Sequence, residues 1–261
     1  MTTHPTSESR VALALAGAAR TPAPAGITYA TPEALSFFAR DAEFPQALAA
    51  AVRDLRLDFA FVPAAYPDAD EAAAAVIEAG AAVAWAVEGP LGITLAERGW
   101  TASIALAATD PAALADDLEV RTLAASEEVD RGLAAGATVL VIADDLASSE
   151  GPLVPPDFAF DEVFPRMARL VEVALDEDVP AVLHTDGDAR AFLHAAHAAG
   201  FAGIHAGGGL RWEAFARLHA AARADGLAVV GGLPTLELAD GEAAAVRVGT
   251  LARYVEEYTR E

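Results

Sequence analysis

The chain contains no cysteine. Disulfides, thiolate nucleophiles and cysteine-ligated zinc are therefore impossible within it. Lysine is absent too, and all 17 basic residues are arginine. That removes Schiff-base chemistry, pyridoxal phosphate attachment and the P-loop lysine. There is no asparagine, and Gln46 is the one glutamine. Genomic composition bias and salt adaptation both account for such a usage. No apolar run reaches the ~20 residues that a membrane helix needs. The opening MTTHPTSESR lacks the charged-then-apolar shape of a signal peptide. A cytoplasmic chain with no membrane contact is expected. Positive charge is scarce: the net charge is −22, and no basic stripe offers a nucleic acid a surface. Chemistry must come from Asp, Glu, His, Arg, Tyr, Ser or Thr, acting on a small-molecule substrate. Nothing in the sequence speaks to the oligomeric state.

What is present is a large apolar fraction, 54% of 261 residues, arranged in alternation. Strand-like runs are expected at 11–16, 58–64, 82–88, 101–107, 137–143, 180–184, 202–206 and 227–232. The first and fourth of these carry the weakest signal. Between them lie alanine-rich stretches with helical periodicity, at 46–56, 69–79, 111–134, 161–177, 188–199, 211–224 and 242–258. Near-continuous apolar strands separated by helices indicate a parallel sheet covered by helices. The length suits one (β/α)8 TIM-type barrel spanning 1–261, distorted or shortened, with 1–10 as a disordered lead.

In such folds function collects where strands end at their C-termini. The expected strand ends carry Glu88, then Asp144 and Asp145, then His184 and Asp186, then His205 and Gly207-Gly208-Gly209. One acid at a strand end is often only a helix cap. Several successive ends bearing carboxylate or imidazole would converge on one cavity, where burial and like charge shift their pKa values. His184, Asp186 and Asp145 are the candidate catalytic groups. Glu88, Asp144, His205, Gly208 and Arg211 are the candidate substrate contacts. His184 and Asp186, joined by Asp145 or His205, have the donor types of an open zinc or other divalent-metal site; the alternative is a hydrogen-bonded network. The glycines at 207–209 with Arg211 could instead cradle an anion. His194, His197 and His219 fall inside helical runs and are read as surface or core residues, and Trp85 as core.

The segment AGATVLVIADDLASSEGPLVPPDFAFDEVFPRMARLVEVALDEDVPAVLHTDGD resembles the uroporphyrinogen decarboxylase superfamily. The shared features are Asp144-Asp145 at a strand end, the helix start near Pro155-Pro156-Asp157-Phe158, Phe164-Pro165, and His184-Thr185-Asp186-Gly187-Asp188. EGPLGITLAERG and VVGGLPTLELADGEAAAV extend the likeness over residues 82–250. The resemblance implies a distorted (β/α)8 barrel whose cleft lies at the strand C-termini. It is closer to the corrinoid-dependent methyltransferase-like members than to the decarboxylase itself, whose Arg-rich N-terminal motif and F-S-D-I strand end have no counterpart here. Thiol-activating members hold zinc through H-x-C, and Asp186 stands where they keep cysteine. The H-x-D-G form resembles members that demethylate methoxylated compounds and pass the methyl to a corrinoid protein. The function so implied is methyl transfer between a small substrate and a corrinoid supplied by a partner. A cofactor-free decarboxylase or other lyase, and a non-catalytic ligand- or partner-binding barrel, are the alternatives. The superfamily count makes 227–232 the seventh strand, so that either 11–16 completes the barrel or the barrel is open or completed by a partner.

Overall fold

Runs buried on both faces fold as parallel strands, and most of the expected ones do so here. The computed structural model describes residues 6–18, 23–30, 32–36 and 38–231. The strands are β1 (Gly26–Ile27), β2 (Phe59–Pro63), β3 (Ala82–Glu88), β4 (Val139–Ala143), β5 (Ala147–Ser148), β6 (Gly151–Pro152), β7 (Ala181–Thr185), β8 (Gly203–Ala206) and β9 (Ala228–Val230). Seven form one parallel sheet in the order β1-β2-β3-β4-β7-β8-β9, and β5 and β6 make a small antiparallel hairpin. The sheet curls into a half-barrel with helices around it, an α/β architecture of the distorted (β/α)8 kind.

Side chains alternate across the sheet with the two-residue period of a strand. Ala60, Val62, Val83, Trp85, Leu140, Ile142, Leu183 and Ile204 face outward into a core shared with the helices. Phe61, Ala82, Ala84, Ala86, Val139, Val141 and Val182 face inward and pack on Val11 and Leu15. The longest helix, Pro111–Ala134, shows how an outer element is specified. The Asp110 side chain accepts from Ala113 N at 3.3 Å, Pro111 opens the first turn, and Leu114, Leu118, Thr122, Ala125, Val129 and Gly132 make a buried stripe. Gly132 is needed because any Cβ would strike the Trp85 ring. That ring donates its Nε1–H to the Glu128 carbonyl at 3.0 Å.

Two expected strands are helices. Residues 11–16 fall in the helix Ser7–Leu15, whose N-cap Thr6 accepts from Ser9 N. Alanine and leucine favour helix, and Val11 and Leu15, one turn apart, bury together. Residues 7–10, expected to be a disordered lead, belong to this same helix. It fills the inner face of the sheet from below and so does not complete the barrel. Arg10 pairs there with the buried carboxylate of Asp58, just before β2. Residues 101–107 belong to the helix Trp100–Thr109, with Ser103 and Ala107 as its buried pair. Conversely, the two-residue β1 escaped notice. The expected helix 242–258 lies outside the described residues. Among those described, no helix is long and apolar enough to cross a membrane.

Candidate active site

Strand register builds the site. Glu88 on β3 pairs with Ala143 on β4, Ala143 with His184 on β7, and His184 with His205 on β8. These four residues form one row across four neighbouring strands, on the inward-facing side. The next inward row toward the strand N-termini reads Ala86, Val141, Val182 and Gly203, and it is apolar throughout. Polar chemistry therefore begins at one level of the half-barrel, at the strand C-termini.

The connecting loops add to that level. Asp145 follows β4 and Asp186 follows β7. Asp186 N donates to Asp145 Oδ1 at 3.3 Å, Leu146 N donates to the buried Thr185 Oγ1 at 3.0 Å, and Asp144 N donates to the His184 carbonyl at 3.0 Å. The two loops are thus stitched together beside His184. Gly187 sits at φ +70°, and a Cβ there would run into the Ser148 backbone. The hairpin β5–β6 docks against it, with Asp188 N donating to the Ser148 carbonyl at 2.8 Å. That close approach explains the glycine within HTDGD.

Tyr29, two residues after β1, completes the wall. Its ring lies 4.9 Å from that of His184 and 5.3 Å from Phe61, edge-on to the latter. It holds a left-handed backbone, φ 38°, unusual for a bulky residue. Burial, together with Glu88, Asp145 and Asp186, pushes its phenol pKa up, so the hydroxyl keeps its proton. Tyr29 was not among the expected residues. Its only sequence signal is an aromatic just past a very short strand.

The imidazoles of His184 and His205 stack, with centroids 4.8 Å apart and planes 27° from parallel, and Nδ1 meets Nδ1 at 2.8 Å. Burial lowers the pKa of His184, opposed by Asp186 and Asp145. Burial lowers His205 to about 3, helped by His184 and His219. Both rings are neutral near pH 7. Glu88 moves the other way: loss of water and the neighbouring Asp145 raise its pKa. The mouth therefore combines two neutral imidazoles, a phenol and several carboxylates, the groups used for proton transfer.

The uroporphyrinogen decarboxylase (URO-D) family profile matches residues 72–258. The chain belongs to the uroporphyrinogen decarboxylase family. Among solved structures it is similar to a methyltransferase from Methanosarcina mazei, with TM-score 0.66 and 18% identity over 87% of this chain and 83% of that one. It also matches a Burkholderia cenocepacia protein described as a lyase/mutase, with TM-score 0.49 and 18% identity over 98% of this chain and 90% of that one. At such identity the first likeness bears on fold, and the second carries no argument. No curated protein matches the sequence.

Within this URO-D chain, Glu88, Asp145, His184, Asp186 and His205 gather at one end of the sheet. Asp144 does not join them. It is buried, and its carboxylate accepts from Leu91 N at 3.3 Å and from Gly92 N at the start of the helix Pro90–Arg98. A Cβ at Gly89 would collide with it. Removal from water outweighs these two donors and raises its pKa to about 8. The expected substrate contact is a helix cap. Gly208 meets the Asp186 carboxylate, which occupies the space a Cβ would take. The supposed anion cradle thus faces the chain's own negative charge, and Arg211 is exposed at the N-cap of the helix Trp212–Ala224. His184 directs Nδ1 at His205, and among the described residues no three His, Asp or Glu side chains are placed to hold an ion.

Proposed function

We propose that this URO-D family protein transfers a methyl group from a small methoxylated substrate to a corrinoid supplied by a partner. The observation that supports this reading is the row of Glu88, His184 and His205, capped by Asp145, Asp186 and Tyr29, at the mouth of a methyltransferase-like half-barrel. Breaking a methyl–oxygen bond leaves negative charge on oxygen, and a proton delivered there lowers the barrier. The corrinoid supplies the nucleophilic cobalt that takes up the methyl. The chain's own part is to hold the oxygen against His184, to keep the phenol of Tyr29 protonated, and to exclude water with the Tyr29 and Phe61 rings. Asp145 and Asp186 favour a proton on His184.

The test is a visible-spectrum assay with cob(I)alamin and a panel of methoxylated aromatics. Protein-dependent loss of the cob(I)alamin spectrum is expected, with His184→Ala inactive. Equal turnover by His184→Ala would overturn the assignment. Carbon dioxide release without corrinoid would point to a lyase, and ligand binding without turnover to a binding protein.

A further inference from the structure

The histidine pair raises a question of charge. An imidazole that is neutral at rest can donate its Nε2 proton only by becoming an imidazolate, a costly anion among carboxylates, unless another proton replaces it at once. The Nδ1···Nδ1 contact at 2.8 Å supplies that replacement. Two neutral imidazoles joined in this way cannot be the same tautomer. The donor ring carries its proton on Nδ1 and leaves Nε2 bare, while the acceptor ring carries its proton on Nε2. The Nδ1···Nδ1 contact leaves the Nε2 side of each ring for the exchange of protons, and the backbone of His205 also favours a proton on His184.

We propose that His184 and His205 form a charge-neutral proton relay, with His205 as the positioning residue that sets the tautomer of His184. In the step, one ring gives its Nε2 proton to the departing heteroatom. The shared Nδ1 proton crosses to that ring, and the second ring takes a proton from water or the incoming group at its Nε2. One proton enters and one leaves, both rings end neutral, and the tautomers are exchanged. Burial of both rings disfavours the imidazolium alternative. The groups facing the pair are unequal. Asp145 and Asp186 act on His184, whereas His219, from the helix Trp212–Ala224, acts on His205. The Tyr29 ring leans on His184 from the β1 side, its plane tilted by 47°, and Glu88 lies in the same row. This asymmetry assigns any additional proton to His184.

The inference rests on the cleft being the active site but not on methyl transfer. It is read without substrate, by long-range ¹⁵N–¹H correlation NMR of the full chain labelled at histidine. The two rings should appear as opposite neutral tautomers between pH 6.5 and 8. Two rings of the same tautomer, or an imidazolium in that range, would overturn the relay. His205→Phe keeps the ring and removes Nδ1; the His184 tautomer balance and titration should then change. His184→Phe reads the pair from the other side, and circular dichroism checks that each variant folds. In the cob(I)alamin assay His205→Phe should lower kcat about 100-fold with little change in KM. A chain that shows paired tautomers and no methyl transfer would retain the relay and lose the methyltransferase reading. A chain that transfers methyl with like tautomers would do the reverse.

Discussion

The inward face of the sheet divides into a floor and a mouth, and only one pleat separates them. At the floor, Ala86, Val141 and Val182 lie above Val11 and Leu15 in a cluster that is apolar throughout. About 6–7 Å further along the same strands, the row becomes Glu88, Ala143, His184 and His205. The same backbone, in the same register, supplies cohesion at one level and ionisable groups at the next. Floor and mouth should therefore respond to substitution in different observables, stability for one and turnover for the other.

The sharpest way to break that division is His184→Ala. It should lower methyl transfer to cob(I)alamin by at least 100-fold, about 2.7 kcal/mol of barrier, while the urea midpoint moves little. A large stability loss with turnover intact would merge the two levels. The opposite experiment is Leu15→Ala in the floor. Removing this buried side chain should cost about 2–3 kcal/mol in urea unfolding and leave the turnover of the folded fraction unchanged.

A third test separates two adjacent acids, Asp144 and Asp145, which part at the boundary. Asp144 has a folded pKa near 8, above its ordinary 3.8. The folded chain holds this proton through that interval, so the stability it contributes is lost as pH rises toward 8. His205 works in the other direction. Its pKa of about 3 lies below the ordinary 6.5, so its contribution is complete above pH 6.5 and lost as pH falls toward 3. Above pH 6.5 the His205 contribution is complete, and between pH 6.5 and 8 the Asp144 slope should dominate. Unfolding free energy measured in urea should fall across that window, and Asp144→Asn should flatten it; an unaltered slope would remove Asp144 from the account. The smallest effect is expected outside both regions. Arg190→Ala deletes an exposed ion pair with Asp188 and should change stability by no more than about 0.5 kcal/mol.

The division also explains what could be read from sequence. Runs that are apolar on both faces, such as 82–88 and 137–143, declared themselves as strands because burial on two sides leaves few polar positions. VALALA gave a weaker signal of the same kind and is a helix, because composition alone does not distinguish a strand from a short helix plugging a barrel. The spacing of Val11 and Leu15 was the clue. At the mouth, Glu88, Asp145, His184, Asp186 and His205 could be found because polar residues that end apolar runs stand out. Asp144 looked equivalent to Asp145, and only the positions of Leu91 N and Gly92 N assign it to a cap. Tyr29 was invisible: its contact with His184 depends on the curl of the sheet, and no local pattern encodes that.

The helix Ser7–Leu15 has one more consequence, for the direction of chemistry. Displacement at a carbon needs the incoming atom on the side opposite the departing one. With Val11 and Leu15 filling the inner face from below, the transfer proposed above requires the substrate to enter heteroatom first. Its oxygen then faces down to the imidazoles and its methyl points outward, in the line along which an acceptor docked on the rim would attack.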